Sequence, residues 1–368
     1  MFDIYSREMW SEISLYACLH FAAGVLGHGV KPNLSATVTN VPLPAKDVHS
    51  TVEFRSGQTG LDGMKVFPSN ETTVDWWYFD VVSWDHKSEI VITFYTAGAA
   101  FNQSGTPNMV LITYTFENGT DLNIHLQAED VRIGTIGNGS SGEYQGVGDW
   151  LGSSDMSQYV VRLDSPSNGI FGEIILKGVA PPHLPCTDDL SAGGDLLLAP
   201  GVGWINVMPD ADATVYFNWS GTVVEFSGTG YHDKNWGNVP MGSTFRSWYW
   251  GHGRAGPYSV VWFDLLAVDG TEYKSSYVAR DGKVLNAACE GIKVRPFGAN
   301  STYPPTTTTG SPSGFNIELS VMHENTQAKA TVIHEFLNVP GAIQRWIGSF
   351  EILGFEGTAL FEQLVDSH

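Results

Sequence analysis

Along most of the chain, apolar and polar positions alternate in short runs of β-branched and aromatic residues separated by Gly, Asn, Asp, Ser and Pro. A period of two over four to eight residues marks half-buried strands. The runs predict strands over 74–82, 89–95, 109–116, 122–128, 159–163, 172–177, 204–208, 214–219 and 222–230. A second series covers 247–252, 259–268, 272–279, 284–294, 315–321, 328–335, 346–353 and 358–364. No stretch holds a 3.6-residue apolar period over three turns, so helices are expected to be few and short. The fold class is therefore all-β, a sandwich or barrel type. Two β-domains meeting near residue 228 are the simplest partition, 31–228 and 229–368, after a leader over 1–30.

Three connections stand out. Residues 134–155, rich in Gly and Ser with Tyr144, Trp150 and Leu151 embedded, read as a long loop, a lid or rim. Residues 178–203, with Pro181, Pro182, His183, Pro185 and a Gly pair, read as irregular but anchored. The Pro/Thr run 303–314 reads as a solvated hairpin tip.

Composition narrows the function. Gly (41 residues) and aromatics (12%) are abundant and charged residues few (16%), as in turn-rich β-proteins. A net charge of -20 with only 19 scattered Lys and Arg speaks against nucleic-acid binding and against an anionic membrane surface. No later stretch reaches the ~20 apolar residues of a membrane-spanning helix, so no membrane insertion is expected. The apolar run 13–27 suits the core of a signal peptide, yet Asp3, Glu8, Glu12 and His20 suit a buried or disordered leader equally. Seven N-x-[S/T] sequons, at Asn33, Asn70, Asn102, Asn118, Asn138, Asn218 and Asn300, point toward a secretory lumen and a glycoprotein; otherwise the chain is cytoplasmic. Cys18, Cys186 and Cys289 lack metal-ligand spacing, and if Cys18 is removed the other two could pair. His323 and His334 lie on different expected strands with no acidic cluster, so no metal site is expected.

The chemistry concentrates in three segments. On the strand Asp75-Trp76-Trp77-Tyr78-Phe79-Asp80, Trp76, Tyr78 and Asp80 share one face and Asp75, Trp77 and Phe79 the other. One face can pack a core while the other lines a cavity. The motif Tyr231-His232-Asp233-Lys234-Asn235-Trp236-Gly237 follows an apolar strand and sets polar groups between Tyr231 and Trp236, where they suit a cavity mouth. In Trp248-Tyr249-Trp250-Gly251-His252-Gly253-Arg254, Trp248, Trp250 and His252 share a face, and the glycines permit close approach of a ligand or backbone. Trp262 and Asp264 share a face and could extend that wall. There is no GxSxG elbow, phosphate loop or HExxH motif. What remains is an aromatic cavity with a few polar groups, the usual form of a small-molecule site.

These segments together resemble the signature of the CrtC/AttH superfamily, two-domain lipocalin-like proteins that include carotenoid hydratases. Within it, the chain length, the Gly-rich stretch near 140 and Asp75, where hydratase-like members tend to carry Glu, are closer to the fungal decalin-forming Diels-Alderases. The resemblance covers about residues 50–365. It implies an N-terminal β-sandwich and a C-terminal lipocalin-like β-barrel with the ligand cavity between them. It also implies an intramolecular [4+2] cycloaddition of a linear polyenoyl tetramic acid, a reaction needing no cofactor or metal. In that reading Asp233, Lys234 and Asn235 hold or polarise the polar head, and Asp75, Trp77, Tyr78, Tyr231, Trp236, Trp248, Trp250, His252 and Trp262 shape the substrate site. A polyene hydratase or isomerase would instead require Asp233 or Asp75 to stay protonated in an apolar pocket. A lipocalin-like carrier would bind and change nothing. Oligomeric state is not legible.

Overall fold

The computed structural model describes residues 36–366 except 46, 58, 99–106, 323 and 340. The leader, Cys18, Asn33, Asn102 and His323 lie outside the described residues. The first domain comprises β1 (Ala36–Val41), β2 (Thr51–Val52), β3 (Val66–Phe67), β4 (Val74–Ser83), β5 (Glu89–Ala97), β6 (Asn108–Thr115), β7 (Asp121–Gln127), β8 (Val131–Ile136), β9 (Gly139–Tyr144), β10 (Gly148–Gly152), β11 (Gln158–Ser165), β12 (Ile170–Gly178), β13 (Leu197–Ala199), β14 (Val202–Trp219) and β15 (Thr222–Gly237). The second comprises β16 (Phe245–Ala255), β17 (Tyr258–Ala267), β18 (Glu272–Arg280), β19 (Lys283–Ala288), β20 (Lys293–Phe297), β21 (Gly314–Val321), β22 (Glu324–Val339), β23 (Ile343–Ile352) and β24 (Phe355–Val365). Helix among the described residues is limited to two 3-10 turns, Pro166–Asn168 and Met241–Ser243.

The first domain is one 13-stranded sheet in the order β1-β8-β9-β10-β11-β12-β14-β15-β4-β5-β6-β7, with β13 beside β14. It doubles over so that Trp77 and Phe79 of β4 and Phe94 of β5 meet Trp150 of β10 and Tyr159 of β11; Trp77 and Trp150 lie 5.0 Å apart. The two layers of the expected sandwich are thus halves of a single sheet. The second domain is a nine-stranded curled sheet with β19 and β20 at its edges. Side-chain bonds draw the edge inward: the Val294 amide of β20 donates to Asp264 of β17 (3.1 Å) and Arg295 pairs with Glu272 of β18 (2.6 Å).

Alternation gives each central strand two jobs. Trp76 and Tyr78 of β4, Tyr95 of β5 and Tyr231 of β15 leave the first core and pack against Trp248 and Trp250 of β16 and Phe263 of β17. Tyr249 and Trp262, one residue out of step, enter the second domain's own core. Burial of this shared aromatic face, at ~25 cal/mol per Å² of apolar surface, holds the domains together.

The structure corrects several expectations. The first sheet runs past residue 228 to Gly237, because β15 pairs along its whole length with β14 and as far as Gly237 with β4. Residues 134–155 are not a lid: they form the end of β8, all of β9 and β10, and Tyr144 and Trp150 are buried core. The glycines there make room for rings, since a Cβ on Gly142 would lie 2.1 Å from the Trp150 ring. The runs 204–208 and 214–219 are one strand, β14, interrupted by register shifts between Asn206 and Ala211, and 284–294 splits into β19 and β20. Residues 178–203 are anchored as expected, by a Cys186–Cys289 disulfide that ties the first domain to the second. The 303–314 run caps the β20–β21 hairpin but is only partly solvated, exposed at 304, 306–308 and 313 and buried at 305, 312 and 314.

Candidate active site

A cleft between the domains is walled by Trp76, Tyr78 and Tyr95 on one side and by Phe245, Trp248, Trp250 and Phe263 on the other. It encloses about 120 Å³. That is below the ~300 Å³ of a drug-sized site, so part of any larger ligand lies in the open mouth. Its polar groups are Asp233 and Asn235 from β15, and Arg345 and Glu362 from β23 and β24.

β15 delivers Asp233 because Tyr231, Asp233 and Asn235 take alternate positions toward the cleft. Asp233 Oδ2 accepts from the Trp204 indole (2.8 Å) and from the Tyr231 hydroxyl (2.8 Å). Trp250 in turn donates to that hydroxyl at 3.4 Å. Burial pushes the Asp233 carboxyl up to about 7, against the opposing pull of the two hydrogen bonds. With Oδ2 occupied by two donors, the proton of the neutral acid falls to Oδ1. The site therefore offers a carboxylic acid whose neutral form is favoured by burial, faced by aromatic π-surfaces.

On the facing wall, Arg345 Nε donates to Glu362 Oε2 (2.5 Å), and Glu362 Oε1 accepts from the Trp248 indole (2.8 Å). The two residues are cross-strand partners. The guanidinium lies 5.2 Å from the centre of the Tyr78 ring.

The sequence-expected residues divide by parity. Tyr78, Asp233, Asn235, Trp248 and Trp250 line the cleft, and Tyr231 sits directly behind Asp233. Asp75, Trp77, Lys234 and Trp236 point the other way, into the first domain's core. There the Lys234 ammonium bonds Asp75 and lies 3.6 Å above Trp77, while Trp236 donates to the Glu53 carbonyl (2.8 Å). Burial raises the Asp75 carboxyl and lowers the Lys234 ammonium. His252 meets Asp80 across the domain interface at 2.9 Å and stacks on Tyr231, one layer from the cleft. Trp262 faces the second core, stacked on Phe350, and its ring fills the space left by Gly251; a Cβ there would come within 2.4 Å. Gly251 and Gly253 thus admit protein rings rather than a ligand.

Arg345, Glu362, Tyr95, Phe245 and Phe263 were not expected from sequence. A signal existed for the charged pair: Ile343-x-Arg345-x-Ile347 and Leu360-x-Glu362-x-Leu364 each set one charge on an otherwise apolar face. Among the described residues, no group of three or more His, Cys, Asp or Glu converges as a metal site requires.

Fold and cleft define a two-domain, all-β, lipocalin-like enzyme that closes an aromatic, acid-bearing cavity between its domains. The Diels-Alderase-like family model matches residues 44–295, and the chain belongs to that family. It is 35% identical over 321 residues to the quinolone epoxide rearrangement protein asqO of Emericella nidulans (strain FGSC A4), covering 85% of this chain and 87% of that protein. It is 35% identical over 350 residues to the quinolone epoxide rearrangement protein penF of Penicillium thymicola, covering 90% and 94%. The Diels-Alderase ucsH of Acremonium sp is 27% identical over 268 residues, covering 68% and 62%. Among solved structures, CghA with Sch210972 superposes with a TM-score of 0.73 at 16% identity, over 92% of this chain and 100% of that one, a likeness of fold. The chain is thus an enzyme of the isomerase or cyclase type in secondary metabolism, and the carrier reading is set aside.

Proposed function

We propose that this enzyme rearranges an epoxide carried on a compact aromatic amide of the quinolone type, with Asp233 as the general acid. One observation carries the reading: a buried carboxyl on the cleft wall, pushed up to about 7, with one oxygen pinned by Trp204 and Tyr231. Cycloaddition needs no such acid, whereas epoxide opening does. The higher identity to the two quinolone epoxide rearrangement proteins, over most of each chain, supports the same choice.

In this reaction the Oδ1 proton passes to the epoxide oxygen as one C–O bond breaks. The carbon left electron-poor is faced by Tyr78, Trp248 and Trp250, whose π-surfaces stabilise positive charge. A neighbouring substituent migrates with its bonding pair, and the hydroxyl proton returns to Asp233 as the carbonyl forms. Product and substrate have equal mass.

The finer reading from sequence, a [4+2] cycloaddition of a polyenoyl tetramic acid, retains the aromatic walls and the Asn235 amide as supports. Lys234 contributes nothing to it from the far side of β15. Asp233→Asn decides between the two. For the epoxide reaction we expect kcat to fall by ~10²–10⁴-fold with binding kept, and wild-type kcat/KM to decline as pH rises through about 7. A loss of only a few-fold, with a pH-independent rate, would return the assignment to positioning of a polyene. The assay is turnover of a synthetic quinolone epoxide beside a polyenoyl tetramic acid, read by chiral chromatography and mass.

A further inference from the structure

The wall opposite Asp233 carries a donor that the acid step does not use. Arg345 is 7% exposed, yet it lines the cleft. Glu362 grips its Nε, and Trp248 grips Glu362 in turn, so the guanidinium plane is fixed before any ligand arrives. Tyr78 backs it at 5.2 Å. Its Nη1 is buried with no hydrogen-bond partner among the described residues. A buried guanidinium N–H left unanswered is costly, so the position makes sense where a ligand supplies the acceptor.

We propose that the terminal guanidinium nitrogens of Arg345 anchor a neutral carbonyl oxygen of the substrate and make the cleft selective for ligands that carry one. Under the epoxide reading, on which this rests, that oxygen is the amide carbonyl, held on one wall while Asp233 addresses the epoxide from the other. Neutrality follows from the pairing. Glu362 already balances the guanidinium charge at 2.5 Å, so a second carboxylate would meet a compensated cation and a like charge. A polarised carbonyl takes the free N–H at no such cost. The fixed guanidinium also confines the acceptor to its plane, which orients the substrate. Arg345 is thereby a specificity-determining residue, distinct from the acid.

Calorimetric binding of three small probes tests this without turnover: 3,4-dihydro-2-quinolone, 1,2,3,4-tetrahydroquinoline, which lacks the carbonyl, and quinoline-2-carboxylate. Wild type should bind the amide ~10–100-fold more tightly than the amine, and more tightly than the carboxylate. Arg345→Met leaves Glu362 orphaned and could unfold, so it is made together with Glu362→Gln, while Arg345→Lys keeps the carboxylate paired. Both variants, checked for native circular dichroism, should bind amide and amine within a few-fold of one another. Equal binding by wild type, a preference that survives in either folded variant, or carboxylate binding as tight as the amide overturns the anchor. Asp233→Asn separates the two assignments. It should retain the full amide preference, whatever happens to its turnover; losing the preference there would also overturn the anchor.

Discussion

Asp233 holds two properties in tension, because the burial that makes it an acid also makes it a liability. Its carboxyl is raised from an ordinary ~3.9 to about 7 in the folded protein. A group whose pKa is higher when folded contributes stability that is full below the unfolded value and lost as pH rises through the folded one. The affected window is pH ~4 to 7, and three units correspond to on the order of 4 kcal/mol, an upper bound. Asp233→Asn keeps an oxygen to accept from Trp204 and Tyr231 and removes the ionisation. We expect that variant to melt at or above wild type at pH 8 and to show a shallower decline of stability between pH 5 and 8, measured by thermal unfolding. A variant that melts lower at pH 8 with an unchanged slope would mean that Asp233 is already ionised at pH 5 and that burial does not raise its carboxyl into this window. At this scale the sequence was half legible. A polar run bounded by Tyr231 and Trp236 marked Asp233 and Asn235, whereas Arg345 and Glu362 are single charges more than a hundred residues away, brought together only by strand register.

At the scale of the element, β15 separates chemistry from support by parity alone. Asp233 faces the cleft, while Lys234 enters the first core, where Asp75 also accepts from the Lys65 amide (2.6 Å) and the Val66 amide (3.2 Å). The motif looks like one active cluster in sequence, but a strand sends adjacent side chains to opposite faces. The alternation of β4 and β16 was read correctly from sequence; that of β15 was not, because the motif was placed after the strand rather than on it. The 134–155 error has a different source: glycine density signals a loop unless one knows that Trp150 lies across Gly142. Lys234→Met should cost about 3–5 kcal/mol in urea denaturation, because it strands a buried carboxylate. The pair Lys234→Met with Asp75→Asn, which removes the charge but keeps an oxygen to accept from the Lys65 and Val66 amides, should regain most of that and keep wild-type kcat. If the double variant loses kcat as Asp233→Asn does, then Lys234 belongs to the reaction after all.

At the scale of the whole molecule, the cleft exists only because two β-domains are held face to face. Several ties span the junction. Asp80 meets His252 at 2.9 Å, Arg254 grips Asp210 through two nitrogens at 2.6–2.9 Å, and His334 reaches Asp121 at 2.8 Å. The covalent tie, Cys186–Cys289, closes a span of 103 residues. Sequence allowed this pairing without placing it, because proximity of two cysteines in irregular connections follows from neither periodicity nor spacing. Its effect should fall mainly on the unfolded chain, since a cross-link over ~100 residues removes conformational freedom worth roughly 2–5 kcal/mol there. The folded junction has its own local support around Cys186. Ser275 donates to the Pro185 carbonyl (2.5 Å), Tyr277 donates to that of Pro181 (2.9 Å), and His183 stacks on Tyr277 at 4.5 Å. We therefore expect the Cys186→Ser/Cys289→Ser variant to lose about 2–5 kcal/mol in denaturant while keeping kcat/KM at 25 °C within a few-fold. The two measurements separate the mechanisms. A constraint on the unfolded chain lowers stability and leaves KM alone, whereas a clamp on the native cleft raises KM with secondary structure intact. The second outcome would make the disulfide part of the site, and would mean that the salt bridges and aromatic packing between the domains cannot by themselves keep the wall bearing Arg345 opposed to the wall bearing Asp233.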